Sequence, residues 1–399
     1  DWLGTEPEID ESKVAKTVDV DVAVVGCGIA GVAACRSVAE DGGLVAAFEK
    51  ADGPQCRSGE YAVINGNVQA KWGRNTWTRE QIDEIVDSHM VESTYRCKRS
   101  IMSKWAHNIG DAFDWWVEAN PDLYYAETTR SAIPDENANN FLIPIFYPLP
   151  ENYDWKQERF PCYPTSVEFL PNQSVTVNAN MQKAVDTGNV ETFYGCFVEK
   201  LIMEDGRCVG LYARDAATGE YIKCNAAKGV IICTGGYGAN DEMLEALQPG
   251  VTDWCVTGSA TCEKGQGIKM ALWAGGQLEA GGGSMIWNRG GMTDDTTFGK
   301  PYNGELFIMG SQPYLHVNTR GERFMNEDQC YPMSYAMACN QPGHYSWEVF
   351  DGKYYEDAER FDTCGCSRIV PAPSGTAFNA DVYSLEAVGK DNLDNFWIG

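Results

Sequence analysis

Two kinds of pattern alternate along the chain, and their order predicts its elements. "VDVDVAVV", residues 18–25, is β-branched and runs into glycine, which predicts a buried strand. "IAGVAACRSVAED", 29–41, follows with apolar positions at helical spacing, and "GGLVAAFEK", 42–50, predicts a second strand. Residues 78–119 repeat apolar positions every three or four residues and predict helix, with the pair Trp115 and Trp116 in the core. Residues 120–165 are rich in Pro, Tyr and Asn and read as an irregular insertion. A helix then leads to "NVETFYGCFVEKLIM", after which "GRCVGLYARD" and "GEYIKCNAAKGVIICTGG" predict a meander with turns at Asp205-Gly206 and Thr218-Gly219. The last of these strands, "GVIICTGG", is expected to return beside the first. The expected fold class is α/β.

The junction of the first strand and helix carries chemistry. Gly26, Gly28 and Gly31 give G-x-G-x-x-G: the first for the tight turn, the second for close approach to a pyrophosphate, the third for helix–strand packing. Ile29 and Ala30 open the helix, whose N-terminus faces the phosphates. Glu49 ends the second strand, suits ribose hydroxyls and disfavours a 2′-phosphate, which leaves FAD or NAD. Beyond Glu49 and Lys50 comes a long Gly-rich loop instead of a helix, which suits the extended FAD; Ser58, Gly59 and Gly66 are its candidate contacts. Thr234, Gly235 and Gly236 are expected near the phosphates, and Val198 near the adenine.

A net charge of −26 opposes binding to phosphate backbones and anionic membranes, so no nucleic-acid partner is expected. Fifteen cysteines are scattered without any C-x-x-C, which excludes the common zinc, iron–sulfur and c-type haem spacings; no metal is expected. Cys364 and Cys366 form the one tight pair and read as ordinary thiols. No apolar run is long enough for a membrane span. The polar opening "DWLGTEPEIDESK" lacks Met and reads as a trimmed end, consistent with an exported, periplasmic or outer-face protein and, failing export, a cytoplasmic one.

Four motifs in order, G-x-G-x-x-G with Glu49, "ICTGGYG", "GQGIKMALWAGGQLE" and "VNTRGERFMNED", resemble the FAD-binding subunits of fumarate reductases and succinate dehydrogenases. The resemblance is nearest the soluble flavocytochrome-c-type branch, with urocanate reductases and 3-ketosteroid dehydrogenases, and covers about residues 18–350. It implies a Rossmann-like FAD-binding domain with an inserted α+β capping domain: 18–245 for the first part, 246–325 for the cap, 326–399 for the return. It also implies that the chain is C-terminally incomplete at Gly399 and that the FAD exchanges hydride at N5. Histidine is missing around residues 55–66, so the FAD is expected to be non-covalent. A second dinucleotide fingerprint is missing too, so electrons are expected from a separate cytochrome or flavin-bearing partner.

Two departures bear on chemistry. The family places an arginine acid four residues after the Glu of R-F-x-N-E; here Glu327 is followed at that spacing by Tyr331. The cap histidine falls near Trp287, and the family's Thr-Glu pair falls in apolar "LFIMG". A dicarboxylate needs more cations than this pocket offers, so fumarate is disfavoured. The expected substrate is an enone or aryl acrylate, an organic electron acceptor reduced by hydride from flavin N5 and a proton from Tyr331. Glu327 and Arg323 complete the candidate catalytic set, with Arg320 and Arg323 also able to pin their loop through carboxylates. Trp287, Tyr302, Tyr314, Tyr335 and Tyr345 are candidate aromatic lining; His344 is a candidate substrate contact and, with His316, an alternative acid. A ketosteroid-type dehydrogenase running in reverse and a flavin-binding electron carrier are the competing readings.

Overall fold

A computed structural model describes residues 1–127 (apart from 58, 75 and 94), 131–144, 167–250, 252, 262–279, 314–327, 336–349 and 351. Strand β1, Val14–Val25, lies between β2, Val45–Glu49, and β10, Tyr221–Ile232, parallel to both. Parallel strands buried on both faces read as continuous apolar runs rather than alternating ones, which is what "VAVV" and "VAAF" show. Alternate residues still divide the faces. Val22, Val24, Val45 and Ala47 join one core cluster; Ala23, Val25, Ala46 and Phe48 join another.

Helix α1, Ile29–Glu40, crosses from β1 to β2 and completes the βαβ unit. Two further strands, β8 (Cys196–Glu204) and β9 (Arg207–Asp215), form with β10 the antiparallel meander expected from the sequence. Asp205 and Gly206 both take positive φ, 47° and 75°, as a two-residue hairpin turn with the right twist requires. With β7, Val190–Tyr194, the sheet order is β7-β2-β1-β10-β9-β8. This is the expected α/β, Rossmann-like arrangement.

Helices α3 (Arg79–Glu92) and α4 (Arg99–Glu118) account for the helical pattern at 78–119. Thr78 and Gln81 form a reciprocal capping box that starts α3. Trp116 is buried in the first core cluster, whereas Trp115 is only partly buried against it. Helix α5, Ser174–Asp186, packs alongside α1.

The structure adds order to the segment read as an irregular insertion. Short strands β4 (Tyr124–Tyr125) and β5 (Phe141–Pro144) join β3 (Glu60–Tyr61) and β6 (Val167–Leu170) in a second sheet, order β3-β6-β5-β4. Strands of two to four residues carry too little periodicity to announce themselves. Between the short helices α2 (Asn67–Lys71) and α6 (Asp241–Leu247) and the C-terminal hairpin, helix α7, Gln266–Trp273, buries Met270 in the core of the first sheet, with Trp273 and Ala274 packed against it. This helix therefore packs against the first sheet. Strands β11 (Leu315–Val317) and β12 (Trp347–Val349) pair antiparallel.

Candidate FAD site

The end of β1 is shaped by contacts that only glycine permits. Gly26 has φ 89°, and a Cβ there would sit 2.5 Å from the Cys233 carbonyl oxygen. A Cβ on Gly31 would sit 1.8 Å from the Gly26 carbonyl oxygen. Gly28 differs: its nearest neighbour for a Cβ is the Gln55 carbonyl oxygen at 4.0 Å, so its outer side is open. Gly28 is also the N-cap of α1 and no side chain caps the helix, so the first amides, on Ile29, Ala30 and Gly31, point outward with the positive end of the helix dipole. An open glycine beside uncapped amides is a fitting seat for a diphosphate.

Glu49 is buried, with its carboxylate fixed at both oxygens. Cys27 N donates to Oε2 at 2.8 Å and Ala51 N to Oε1 at 2.9 Å. Each oxygen keeps a second lone pair, so the side chain can still accept from a ribose. Replacing Glu49 with Ala strips two amides of their acceptor, at about 1–3 kcal/mol for buried Cys27 and less for part-buried Ala51. Glu49→Ala is therefore expected to melt well below wild type and to lose FAD on gel filtration, whereas Glu49→Gln keeps one amide contact and falls in between.

The second glycine cluster follows β10. Gly235 takes φ 72°, and Gly235 and Gly236 face the Glu263 carboxylate, 3.3 and 3.5 Å from where their Cβ atoms would be. The Thr234 side chain faces Gly267 near the start of α7. Lys50 is exposed and donates to the Cys262 carbonyl at 2.6 Å, tying the end of β2 to the same segment.

Three other candidates are packed against the protein itself. Val198 turns its side chain into the core with Leu201 and Ala213, so only its backbone is available to an adenine. Gly59 and Gly66 answer to packing: a Cβ on Gly59 would meet the Phe169 carbonyl at 2.2 Å, and one on Gly66 would meet Val63 Cγ1 at 2.9 Å. The loop they bracket is pinned by buried Gln173, which donates to the Arg57 carbonyl and accepts from the Tyr61 hydroxyl. Ser58 lies outside the described residues, as do Trp287, Tyr302, Tyr331, Tyr335, Cys364 and Cys366.

Arg323 and Glu327 are brought together. Arg323 Nε lies 3.1 Å from both carboxylate oxygens of Glu327, and the His316 amide donates to Oε1 at 3.2 Å. Arg320 pairs with Glu322 at 2.9 Å. Both arginines thus pin the loop after β11, and Glu327 holds Arg323 and the strand at once. His344 is exposed in a turn with φ 63°, its Nδ1 2.7 Å from the Cys339 carbonyl. Tyr314 is buried, and Tyr345 is exposed with its ring edge-on to Trp347. His107 bonds Asp83 at 3.0 Å and His89 packs edge-on to Trp105, so both act as helix-packing residues.

Among the described residues no cluster could hold a metal, and no helix is long and apolar enough to cross a membrane. Ten described cysteines are free thiols. Burial, with the neighbouring Cys233, pushes Cys35 up to about 12, and burial raises Cys27 further. Peptide mapping after alkylation of the native protein is expected to find exposed Cys262 modified and Cys27 and Cys35 untouched until unfolding.

The family model described as an FAD binding domain matches residues 21–338. The chain belongs to this FAD-binding family. It is a flavoprotein chain, and FAD is its cofactor. It is 25% identical over 329 residues to a vinyl phenol reductase of Lactiplantibacillus plantarum, covering 81% of this chain and 59% of that protein. It is 26% identical to a 3-oxosteroid 1-dehydrogenase of Mycolicibacterium smegmatis, covering 84% and 68%, and 24% identical to a urocanate reductase of Eggerthella lenta, covering 82% and 49%. The chain thus spans about half to two thirds of the length of these relatives. The fold matches the crystal structure of a 3-ketosteroid-delta4-(5alpha)-dehydrogenase from Rhodococcus jostii, with a TM-score of 0.59 at 17% identity over 87% of this chain and 70% of that one. An open flavocytochrome c3 fumarate reductase matches with a TM-score of 0.56 at 18% identity, over 90% and 57%.

Proposed function

We propose that this chain is the FAD-binding part of an oxidoreductase that reduces a C=C bond conjugated to a carbonyl or carboxylate, an enone or aryl acrylate rather than fumarate. The observation that carries the reading is the uncapped start of α1 beside open Gly28, with Glu49 held in place below it. Bound FAD supplies hydride at N5. The chain's part is to seat the diphosphate on the α1 amides, to accept the ribose at Glu49 and to deliver a proton to the substrate α-carbon. We assign that last role to Tyr331, where relatives place their acid; Arg323 and Glu327 hold the preceding loop through their ion pair. We assign substrate contact to the aromatic residues Trp287, Tyr302 and Tyr335, whose side chains suit ring-bearing substrates, and to His344. The relatives named for vinyl phenol, urocanate and 3-oxosteroids support a ring-bearing substrate. The steroid dehydrogenase match, over 84% of this chain, favours the reverse direction as the second reading.

Electrons would come from a separate cytochrome or flavin-bearing protein, at the outer face of the cytoplasmic membrane or beyond it. The test uses the full-length protein, reduced anaerobically and mixed with enones, aryl acrylates and fumarate. Rapid flavin reoxidation by a ring-bearing acceptor, slowed ~10²-fold by Tyr331→Phe, is the expected result. Reoxidation by fumarate alone would overturn the substrate class, and bleaching of oxidised flavin by a saturated ketosteroid would establish the reverse direction.

A further inference from the structure

Helices α3 and α4 flank an open cleft of about 640 Å³, within the ~300–1,000 Å³ usual for small-ligand sites. Ser100, Ser103, Lys104, His107 and Asn108 line it from α4, at the three- and four-residue steps of one helix face. Arg79 lines it from the first turn of α3, and Trp77 and Ile82 give it an apolar wall. That wall is fixed by the fold. Ile82 is buried, and Trp77 packs against the same core cluster. Asn65 holds the Trp77 backbone at both ends: Trp77 N donates to Asn65 Oδ1 at 2.7 Å, and Asn65 Nδ2 donates to the Trp77 carbonyl at 2.8 Å.

The charge of the cleft runs against that of the chain. Asp and Glu outnumber Lys and Arg by 57 to 31 overall, yet residues 93–110 hold Arg96, Lys98, Arg99 and Lys104 and no acid. Among the described residues no acid lines the cleft, and the neighbouring Asp83 is engaged by His107 Nε2 at 3.0 Å. Arg99, on the same helix, is paired with Asp87 at 2.8 Å. Arg79 and Lys104 make no ion pair with any described residue. Guanidinium and ammonium groups only donate, so an oxyanion is the group that satisfies both at once. An arginine takes a carboxylate through two parallel hydrogen bonds, and an indole wall favours a flat apolar body. The same charges oppose a metal ion.

We propose that this cleft binds a small aromatic carboxylate, its carboxylate on Arg79 and Lys104 and its ring against Trp77. Ser100 and Ser103 supply hydroxyl donors beside the two cations. The inference is independent of the alkene-reductase reading, and the cleft shares no residue with the cradle at the start of α1.

The test uses the full-length holoprotein, its histidines labelled with 13C at Cε1, titrated with benzoate, which has no alkene to reduce. The chain has four histidines, and His107→Gln identifies the His107 signal. Saturable movement of that signal is expected, with an unchanged flavin spectrum. Arg79→Gln and Lys104→Gln are each expected to weaken binding about tenfold or more. Arg99→Gln, whose cation lies on the same helix outside the cleft, is expected to change it less than about twofold. Neutral benzamide and ringless acetate are each expected to bind at least ~10-fold more weakly than benzoate. A His107 signal unmoved by ~10 mM benzoate would overturn the site. Equal weakening by Arg99→Gln would reduce it to general surface attraction, and benzamide or acetate binding as tightly as benzoate would overturn the ligand class.

Discussion

A Gly31→Ala protein is expected to retain no FAD and to melt far below wild type. The added methyl carbon would stand 1.8 Å from the Gly26 oxygen and 2.9 Å from its carbonyl carbon. Neither can swing aside, because both are backbone atoms of the turn that sets up the site. Helix α1 would have to lift off β1, and overpacking of this kind costs about 1–3 kcal/mol even where flexible side chains can yield. Gly28→Ala separates cradle from fold. Its Cβ meets nothing nearer than 4.0 Å, so melting should stay near wild type. The methyl would stand where the diphosphate approaches, and FAD affinity should fall ~10²-fold, roughly 2.7 kcal/mol. Thermal melts with a flavin-fluorescence titration distinguish the two outcomes. A Gly31→Ala protein with wild-type affinity would mean that α1 is not the seat.

Arg36→Ala is expected to be the most destabilising substitution of a charged residue, at about 3–5 kcal/mol. Arg36 is 1% exposed on α1. It donates to Glu40 at 2.7 Å, the Trp115 carbonyl at 2.7 Å and Asn180 Oδ1 at 2.8 Å, and it stacks 3.9 Å over the Trp115 ring. One guanidinium therefore fastens α1 to α4 and α5. Its loss leaves a part-buried carbonyl and a buried amide oxygen without this donor, and a cavity beside Trp115. Arg99→Ala is the control: its pair with Asp87 is half exposed and worth less than about 1 kcal/mol. Urea midpoints at constant slope measure both. Equal shifts would contradict the role given to Arg36.

The parts of the fold that were legible in the sequence are those with local causes. The β1-α1-β2 unit follows from a β-branched run, glycines at fixed offsets and an acid at the next strand end. The meander follows from turn residues between apolar runs, and its strand β10 pairs with β1 as expected. Illegible features depend on partners far along the chain. Strand β3 pairs with β6 more than a hundred residues later, Glu60 with Glu168. Arg36 finds Asn180 across a separation of 144 residues. A glycine in sequence does not say whether it makes room for a ligand or for a neighbour: Gly28 faces open space, whereas Gly59 is pressed against Phe169. Likewise "IKMALW" shows an apolar face without saying that its neighbour is the first sheet. The pairing of His316 with Glu348 became visible only when the two strands were placed side by side.

The most direct measurement is chemical analysis of the cofactor carried by the full-length protein, together with a density map of the α1 N-terminus. The prediction is one FAD per chain, released intact on denaturation, with its diphosphate against the amides of Ile29, Ala30 and Gly31 and its ribose on Glu49. NAD in that place, or FAD bound elsewhere with the α1 amides facing solvent, would contradict it.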